Sequence, residues 1–223
     1  IPQSLVLTNP VGGEKLIPST TAFDTVYIQW DDYGSSGTYT LEFSSNNGSS
    51  WSTLSSTIPA SSRIYNWGVP NTPTDQAKIK VTNNTSLLTQ TSNAFTITTM
   101  SALSLDPVQC EGYIKINWTA VPGATDYEVM WLQGTEMVSV ATTNALTYTF
   151  SGLSKDIVYW VTVRPRINGN PGRRANAISR QPNTGTCAGT ISDNDLKLDA
   201  ILSPASTGRL LTSTALTATH AIT

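Results

Sequence analysis

Hydrophobic and polar side chains alternate along short stretches of this chain, and the alternation is clearest between Glu111 and Leu132. The positions predicted to face inward are Ile114, Ile116 and Trp118, followed by Tyr127, Val129 and Trp131. A period of two residues indicates strands with one buried face. Pro122-Gly123-Ala124 lies between the two stretches and is typical of a turn. This part of the chain therefore predicts two strands joined by a turn.

The same alternation recurs through residues 1–100, in short stretches separated by turn residues. The predicted strands are Ser4 to Thr8, Thr25 to Trp30, Thr38 to Ser44, Ile64 to Val69, Ala77 to Thr82 and Ala94 to Thr98. Short strands at this spacing favour an antiparallel sandwich. Since no helical periodicity of useful length appears, the predicted fold class is all-β.

A chain of 223 residues suits two domains, each large enough for its own core. We predict two tandem antiparallel β-sandwiches, at residues 1–100 and 101–188, followed by a two-strand tail at residues 189–223. In the tail, Leu196, Leu198 and Leu202 share one side of a predicted strand. Two strands alone are marginal in water. We therefore expect another chain, by strand addition to a sheet edge, or a further part of a longer protein to cover them.

Composition and charge exclude several classes of function. Charged residues make up 13% of the chain, against roughly 25% in an average soluble protein. The net charge of -2 leaves no basic face for nucleic acid. No apolar run approaches the ~20 residues that span a bilayer. The chain opens on IPQSLVLTNP, which lacks the features of a secretory leader and suggests a mature protein or an excised piece.

Catalysis and metal binding find little support in the residue types present. Two cysteines and one histidine are too few for a structural zinc site. His220 is poorly placed for a preorganised base. Asp31 and Asp32, in a predicted loop after Trp30, have the chemistry for weak calcium binding, but adjacent loop acids are most often solvated. We therefore predict no enzyme activity, no metal site and no cofactor.

One local motif is sharper than the rest. Residues 44–51, SSNNGSSW, match the spacing of an Asp-box, with Asn46 where the aspartate usually stands. An Asn caps its own turn, Gly takes a positive φ, and Trp51 packs back over the hairpin. Because turn chemistry alone explains these residues, we interpret the motif as structural and not as a sugar-binding site.

Three family resemblances follow from these motifs. Residues 5–98, with NPVGGEKL, LEFSSNNGSSW and YNWGVP, resemble an Ig-like repeat of large secreted Bacteroidetes proteins. Residues 101–188 resemble a fibronectin type III domain, including a tyrosine corner at Tyr159. The tail resembles the start of a CARDB-type module. These resemblances imply a secreted or cell-surface bacterial protein exported by the type IX pathway, and Asp24-Thr25-Val26 fits the O-glycosylation pattern of that group, with Thr25 as the acceptor.

The two cysteines bracket the second predicted sandwich. Cys110 precedes its second strand and Cys187 follows its last, and the first and last strands of a sandwich can end close together. In an extracellular setting this arrangement favours a disulfide over two unrelated buried thiols. We predict one disulfide and no free thiol.

The predicted outward positions of the second sandwich include an apolar cluster. Met130, Leu132, Trp160 and Arg164 lie on neighbouring strands in this interpretation, and such a cluster is what a partner-contact surface uses. The alternative is that Trp160 packs against the neighbouring domain or a long loop. The alternation fits both interpretations of Trp160 equally well.

Taken together, the residues predict a non-catalytic accessory segment, a spacer, stalk or adhesive module, of a larger extracellular or cell-surface protein. Its expected partners are neighbouring modules or chains, reached through sheet edges and hydrophobic contacts, and glycans. Two alternatives are a carbohydrate-binding module and a non-catalytic region of an extracellular protease or glycosidase.

Overall fold

The computed structural model describes residues 3–21, 26–34, 36–185, 187, 198–203 and 219–222, the last two ranges as backbone only. Regular structure in these ranges is entirely β-strand, arranged as two sandwiches and one separate strand pair. Within the same ranges, no helix is long and apolar enough to span a lipid bilayer. The all-β fold class predicted from the alternation is confirmed.

The first sandwich has nine strands among the described residues. They are β1 Ser4–Asn9, β2 Lys15–Leu16, β3 Val26–Tyr33, β4 Thr38–Ser44, β5 Ser52–Pro59, β6 Ile64–Trp67, β7 Thr74–Asn83, β8 Thr89–Thr91 and β9 Phe95–Ile97. One sheet has the order β1-β3-β6, and the other has the order β2-β9-β7-β4-β5 with β8 also paired to β7. The β2–β9 pairing is parallel, and all other pairs are antiparallel.

The core of the first sandwich forms from residues that alternate along these strands. Ile28 and Trp30 of β3 face Tyr39 and Leu41 of β4, and all four are at most 1% exposed. The ring centroids of Trp30 and Tyr39 are 5.1 Å apart in an edge-to-face arrangement, which is a favourable geometry for an aromatic pair. The alternation that predicts these two strands therefore coincides with burial at these four positions.

Several details of the first sandwich differ from the sequence prediction. Asp31 and Asp32 do not lie in a loop; they belong to β3, which continues to Tyr33 because β1 pairs with it from Gln29 to Tyr33. The Tyr39 hydroxyl donates to Asp32 Oδ2. Burial, together with this carboxylate, raises the pKa of Tyr39. The edge strand β5 and the short strands β2 and β8 were also absent from the predicted set.

The second sandwich has eight strands among the described residues. They are β10 Leu103–Leu105, β11 Ile114–Trp118, β12 Asp126–Gln133, β13 Glu136–Thr143, β14 Thr147–Phe150, β15 Tyr159–Ile167, β16 Asn170–Pro171 and β17 Ile178–Arg180. One sheet has the order β10-β11-β14, and the other has the order β13-β12-β15, with β16 and β17 both paired to β15. This is the strand arrangement of a fibronectin type III-like sandwich.

Two tyrosines anchor the turns of the second sandwich. The Val121 N–H donates to the Tyr127 hydroxyl at 2.8 Å, and Gly123 takes a φ of 78° in the turn between β11 and β12. At the other end, the Ser154 N–H donates to the Tyr159 hydroxyl at 3.0 Å. The second contact has the geometry that the tyrosine-corner resemblance predicts.

The last described elements are β18 Leu198–Ser203 and β19 Thr219–Ile222, which pair antiparallel. Leu196 lies outside the described residues, and Leu198 and Leu202 are described as backbone only. The alternation did predict a strand pair here. The predicted covering of this strand pair, by another chain or by a further part of a longer protein, stays a prediction.

Candidate functional site: the outer face and the junction cleft

The outer face of the second sandwich is formed by alternate residues of β12 and β15. The cross-strand partners on it are Asp126–Arg166, Glu128–Arg164 and Met130–Thr162. The register ends at Trp131–Val161, and one further residue along each strand places Leu132 opposite Trp160. We call these eight residues the outer face.

Two ion pairs cross the outer face directly between the strands. Arg164 Nε lies 2.6 Å from Glu128 Oε2, and Arg166 Nε lies 2.5 Å from Asp126 Oδ1. Burial alone would raise the pKa of Glu128, but the hydrogen bond and the charge of Arg164 outweigh it and lower that pKa. The hydrogen bond to Asp126 raises the pKa of Arg166. The charged side chains at this end of the outer face therefore pair with one another.

Met130 does not belong to an exposed cluster, in contrast to the sequence prediction. Its side chain is only 5% exposed. The residue lies in the central strand of its sheet, flanked by Ser139 of β13 and by the fully buried Thr162 of β15. A bulge in β13 opposite Val129 and Met130 also breaks the regular register. The alternation along β12 alone could not predict which residues of β13 and β15 lie beside Met130.

Leu132 and Trp160 remain exposed at the other end of the outer face, at 39% and 44% of their surface. The chain has six tryptophans, all of them within the described residues, and Trp160 alone is this exposed. Trp30, Trp67 and Trp118 are core residues, as the alternation predicts. Trp131 is half-buried and also packs against the core, where it stacks on Phe150 and Tyr159. Trp160 is therefore the one tryptophan offered broadly to solvent.

A cleft of about 620 Å³ begins beside Trp160, where the second sandwich meets the first. Lys15 of β2 lines it from the first sandwich, and Trp160, Arg164 and residues 172–177 line it from the second. We call it the junction cleft. Its volume lies within the range of small-molecule sites, roughly 300–1,000 Å³.

The junction cleft is basic. Its lining contains Lys15, Arg164, Arg173 and Arg174, four of the 13 Lys and Arg residues of the chain, and no acidic residue. Arg164 is paired with Glu128, whereas among the described residues no ion pair forms at Lys15, Arg173 or Arg174. None of these three side chains was predicted from the sequence as part of a site. The Arg173-Arg174 dipeptide, in a chain so poor in charge, was the available signal.

The two sandwiches contact each other directly at this junction. Asn170 Nδ2 donates to Asp75 Oδ2 at 2.9 Å across the boundary. A Cβ added to Gly172 would lie 2.3 Å from Thr98 Cγ2, so only glycine permits this approach. Gly123 similarly lies against the Pro73 ring. The cleft walls are therefore held by packed residues of both sandwiches.

The predicted disulfide is present between Cys110 and Cys187, with Cα atoms 5.2 Å apart, and no free cysteine is found among the described residues. The Tyr113 hydroxyl lies 2.9 Å from Cys187 Sγ. Gly185 packs so closely on Gln109 and Cys110 that an added Cβ would lie 2.6 Å from a backbone atom. These contacts fasten the end of the second sandwich to its beginning.

The Asp-box-like motif is a structural turn. The Ser50 N–H donates to Asn46 Oδ1 at 2.9 Å, and Gly48 has a φ of 91°. The Trp51 ring lies over Gly48 on one side, and Lys80 Nζ is 4.3 Å from its centroid. The turn is thus closed by its own contacts. Thr25, the predicted glycosylation site, lies outside the described residues.

Comparison with known proteins returns fold resemblances only. No protein family and no curated protein matches the chain. A two-domain fibronectin type III segment of chicken tenascin aligns with 80% of this chain and 97% of its own, at 14% identity and a TM-score of 0.44. The FN1–FN3 segment of chicken CNTN1 aligns with 76% of this chain and 68% of its own, at 14% identity and a TM-score of 0.33.

A single domain gives a similar result. The sixth fibronectin type III domain of human fibronectin type III domain containing protein 3 covers 42% of this chain and 92% of its own, at 14% identity and a TM-score of 0.35. At these values, the fold assignment rests on the strand order and the two cores described above.

Proposed function

We propose that this chain is a non-catalytic accessory segment of a larger secreted or cell-surface protein, in which it holds neighbouring parts at a fixed spacing. The observation that carries the proposal is the packed junction between the two sandwiches. A spacer must transmit position, and a short linker fixed by contacts does this better than a flexible one.

The linker between the sandwiches is short and tied at both ends. Only residues 98–102 separate β9 from β10. The Thr98 N–H donates to the Leu16 carbonyl at 3.1 Å, and the Ala102 N–H donates to Thr119 Oγ1 at 2.9 Å. Together with the hydrogen bond from Asn170 to Asp75, these bonds restrict rotation about the linker.

An extracellular setting is supported by the disulfide, because such bonds persist in oxidising compartments. The low content of charged residues and the motif resemblance to secreted Bacteroidetes repeats favour the same setting. Export by the type IX pathway and a CARDB-like third module rest on that resemblance alone. The sequence flanking this segment in its gene would test both.

The fixed spacing can be tested by ¹⁵N relaxation of the full chain in solution. We expect both sandwiches to follow one common rotational diffusion tensor, because the junction contacts couple them. An Asn170→Ala variant, which loses the amide bonded to Asp75, should loosen this coupling. An Asn66→Ala variant, at an exposed position of β6, is the control. Two independent tensors in the wild-type protein would refute a rigid spacer.

A carbohydrate-binding function is the second candidate, and one observation favours it. Trp160 is exposed beside a cleft of the size of a ligand site. The remaining alternative, a non-catalytic region beside a hydrolase domain, is compatible with the spacer proposal and depends on the same flanking sequence.

A further inference from the structure

The junction cleft combines features that a spacer does not need. Its lining brings one exposed indole, three cationic side chains without an ion pair among the described residues, and the exposed amide of Asn176 into one space. The whole chain has a net charge of -2, so this local basic concentration runs against its average. Charge gathered in a concave site selects ligands of the opposite sign.

We propose that the junction cleft binds a short acidic saccharide, one whose sugar rings carry carboxylate or sulfate groups. Arg173 and Arg174 would bind the anionic groups, since a guanidinium pairs with carboxylate or sulfate through two parallel hydrogen bonds. The apolar face of a sugar ring packs against the Trp160 indole, and Asn176 bonds to hydroxyl groups. Lys15 adds a further positive charge from the first sandwich.

Among the described residues, no carboxylate forms an ion pair with Lys15, Arg173 or Arg174. Glu128 is bound to Arg164 at 2.6 Å. Glu14, next to Lys15, accepts hydrogen bonds from the backbone N–H groups of Val11 and Gly12 at 2.7 and 2.9 Å. Glu128 and Arg164 therefore neutralise each other. Glu14 keeps its charge but directs its oxygens at backbone amides, so Lys15, Arg173 and Arg174 remain available to a ligand.

The lining favours a saccharide over other anions. Apart from Trp160 its apolar residues are Gly172, Ala175 and Ala177, which form no pocket for the large side chains that anchor a peptide. An extended nucleic acid needs a basic surface beyond one cleft, and the acidic balance of the chain does not provide it. A short acidic saccharide, by contrast, can contact the Trp160 indole, the cationic side chains and the Asn176 amide at the same time.

The test is a titration of the full chain followed by ¹H–¹⁵N NMR at low salt. The probe is a trimer of galacturonic acid, and its fully methyl-esterified form is the matched neutral probe. A trisaccharide carrying sulfate esters shows which anionic group binds more tightly. Hexaglutamate and a short single-stranded DNA represent the two competing ligand classes.

We expect the acidic trimer to shift the signals of Trp160 and residues 172–177, and its affinity to fall as salt rises. Combined Arg173→Gln and Arg174→Gln substitutions should weaken binding roughly tenfold or more, through loss of charge-assisted hydrogen bonds. Trp160→Ala should weaken binding by a similar factor and leave the melting temperature nearly unchanged. Lys155→Gln and Tyr27→Ala, at exposed positions outside the cleft, should have no effect on affinity.

Equal affinity for the esterified trimer would overturn the proposal, because the cationic side chains would then play no part. Tighter binding of hexaglutamate or DNA would assign the cleft to another ligand class. Signal shifts away from the cleft, or no binding of any acidic saccharide, would also refute it. Even if a variant fails to fold, the signal shifts of the wild-type protein show whether the acidic trimer binds in the cleft. Binding and tumbling are measured separately, so this inference and the spacer proposal can fail independently.

Discussion

Removal of the disulfide should destabilise the second sandwich and leave the first almost unchanged. The perturbation is the double variant Cys110→Ser and Cys187→Ser, in which the two residues are separated by 77 positions. For a loop of this length, the chain-entropy relation gives about 15 cal/mol/K, or roughly 4.5 kcal/mol at 25 °C. The cross-link acts mainly by restricting the unfolded chain.

The structure around the two substituted cysteines should persist in the folded state. The Gly112 N–H donates to the Pro182 carbonyl at 2.9 Å, and Gly185 packs against Gln109 and Cys110, so the final segment keeps contacts that do not involve sulfur. We therefore expect a measured loss of about 3–5 kcal/mol in the free energy of unfolding. For a domain of this size, that corresponds to a fall in melting temperature of roughly 15 °C or more.

The assay is urea denaturation of the full chain followed by two-dimensional NMR, which gives a separate midpoint for each sandwich. Reductant added to the wild-type protein should reproduce the shift, and reductant added to the double variant should change nothing. A loss below about 1 kcal/mol in the second sandwich would refute the loop-entropy reasoning. An equal loss in both sandwiches would show that they unfold as one unit.

The remaining predictions concern the junction, the tyrosine corner and the outer face. Gly172→Ala should cost roughly 1–3 kcal/mol by overpacking, and adding Thr98→Ser, which removes the obstructing methyl group, should recover part of the loss in a double-mutant cycle by urea denaturation. Tyr159→Phe removes the acceptor for one backbone amide and should cost about 1 kcal/mol in the same assay. Glu128→Gln should cost about 1–2 kcal/mol at pH 7, because it breaks the partly exposed pair with Arg164. Since the fold lowers the pKa of Glu128, its contribution is present above the unfolded carboxyl value near 4.3 and declines as the pH falls through the lower folded value. Urea midpoints from pH 7 to pH 3 would show the difference between wild type and variant shrinking.

The sequence predicted those strands in which buried and exposed side chains alternate. Ile114, Ile116 and Trp118 alternate in the sequence, and all three are buried. The edge strand β5 went unpredicted because Ile58 is its only buried residue, so no alternation marks it. Asp31 and Asp32 extend β3 through backbone pairing with β1, which side-chain patterns do not register.

The candidate site was predictable only in part, for a related reason. The period of two along β15 correctly placed Trp160 away from the core. The cleft beside it depends on Lys15, distant in sequence, and on the path of residues 172–177 after β16. Neither follows from local periodicity, because each is set by how the two sandwiches meet.

The junction therefore links the two proposals physically. Lys15 lines the cleft from the first sandwich and Arg173 from the second, so the distance between these cations depends on the contacts that fix the linker. If those contacts are loosened, only the fraction of molecules that keep the two walls at the spacing seen in the structure, the closed arrangement, can bind through both walls. The apparent affinity then falls by that fraction. By reciprocity, a ligand that bridges the walls must favour the closed arrangement by the same free energy. If Asn170→Ala loosens the junction in the relaxation experiment and yet leaves the saccharide affinity unchanged, the second sandwich alone forms the binding surface.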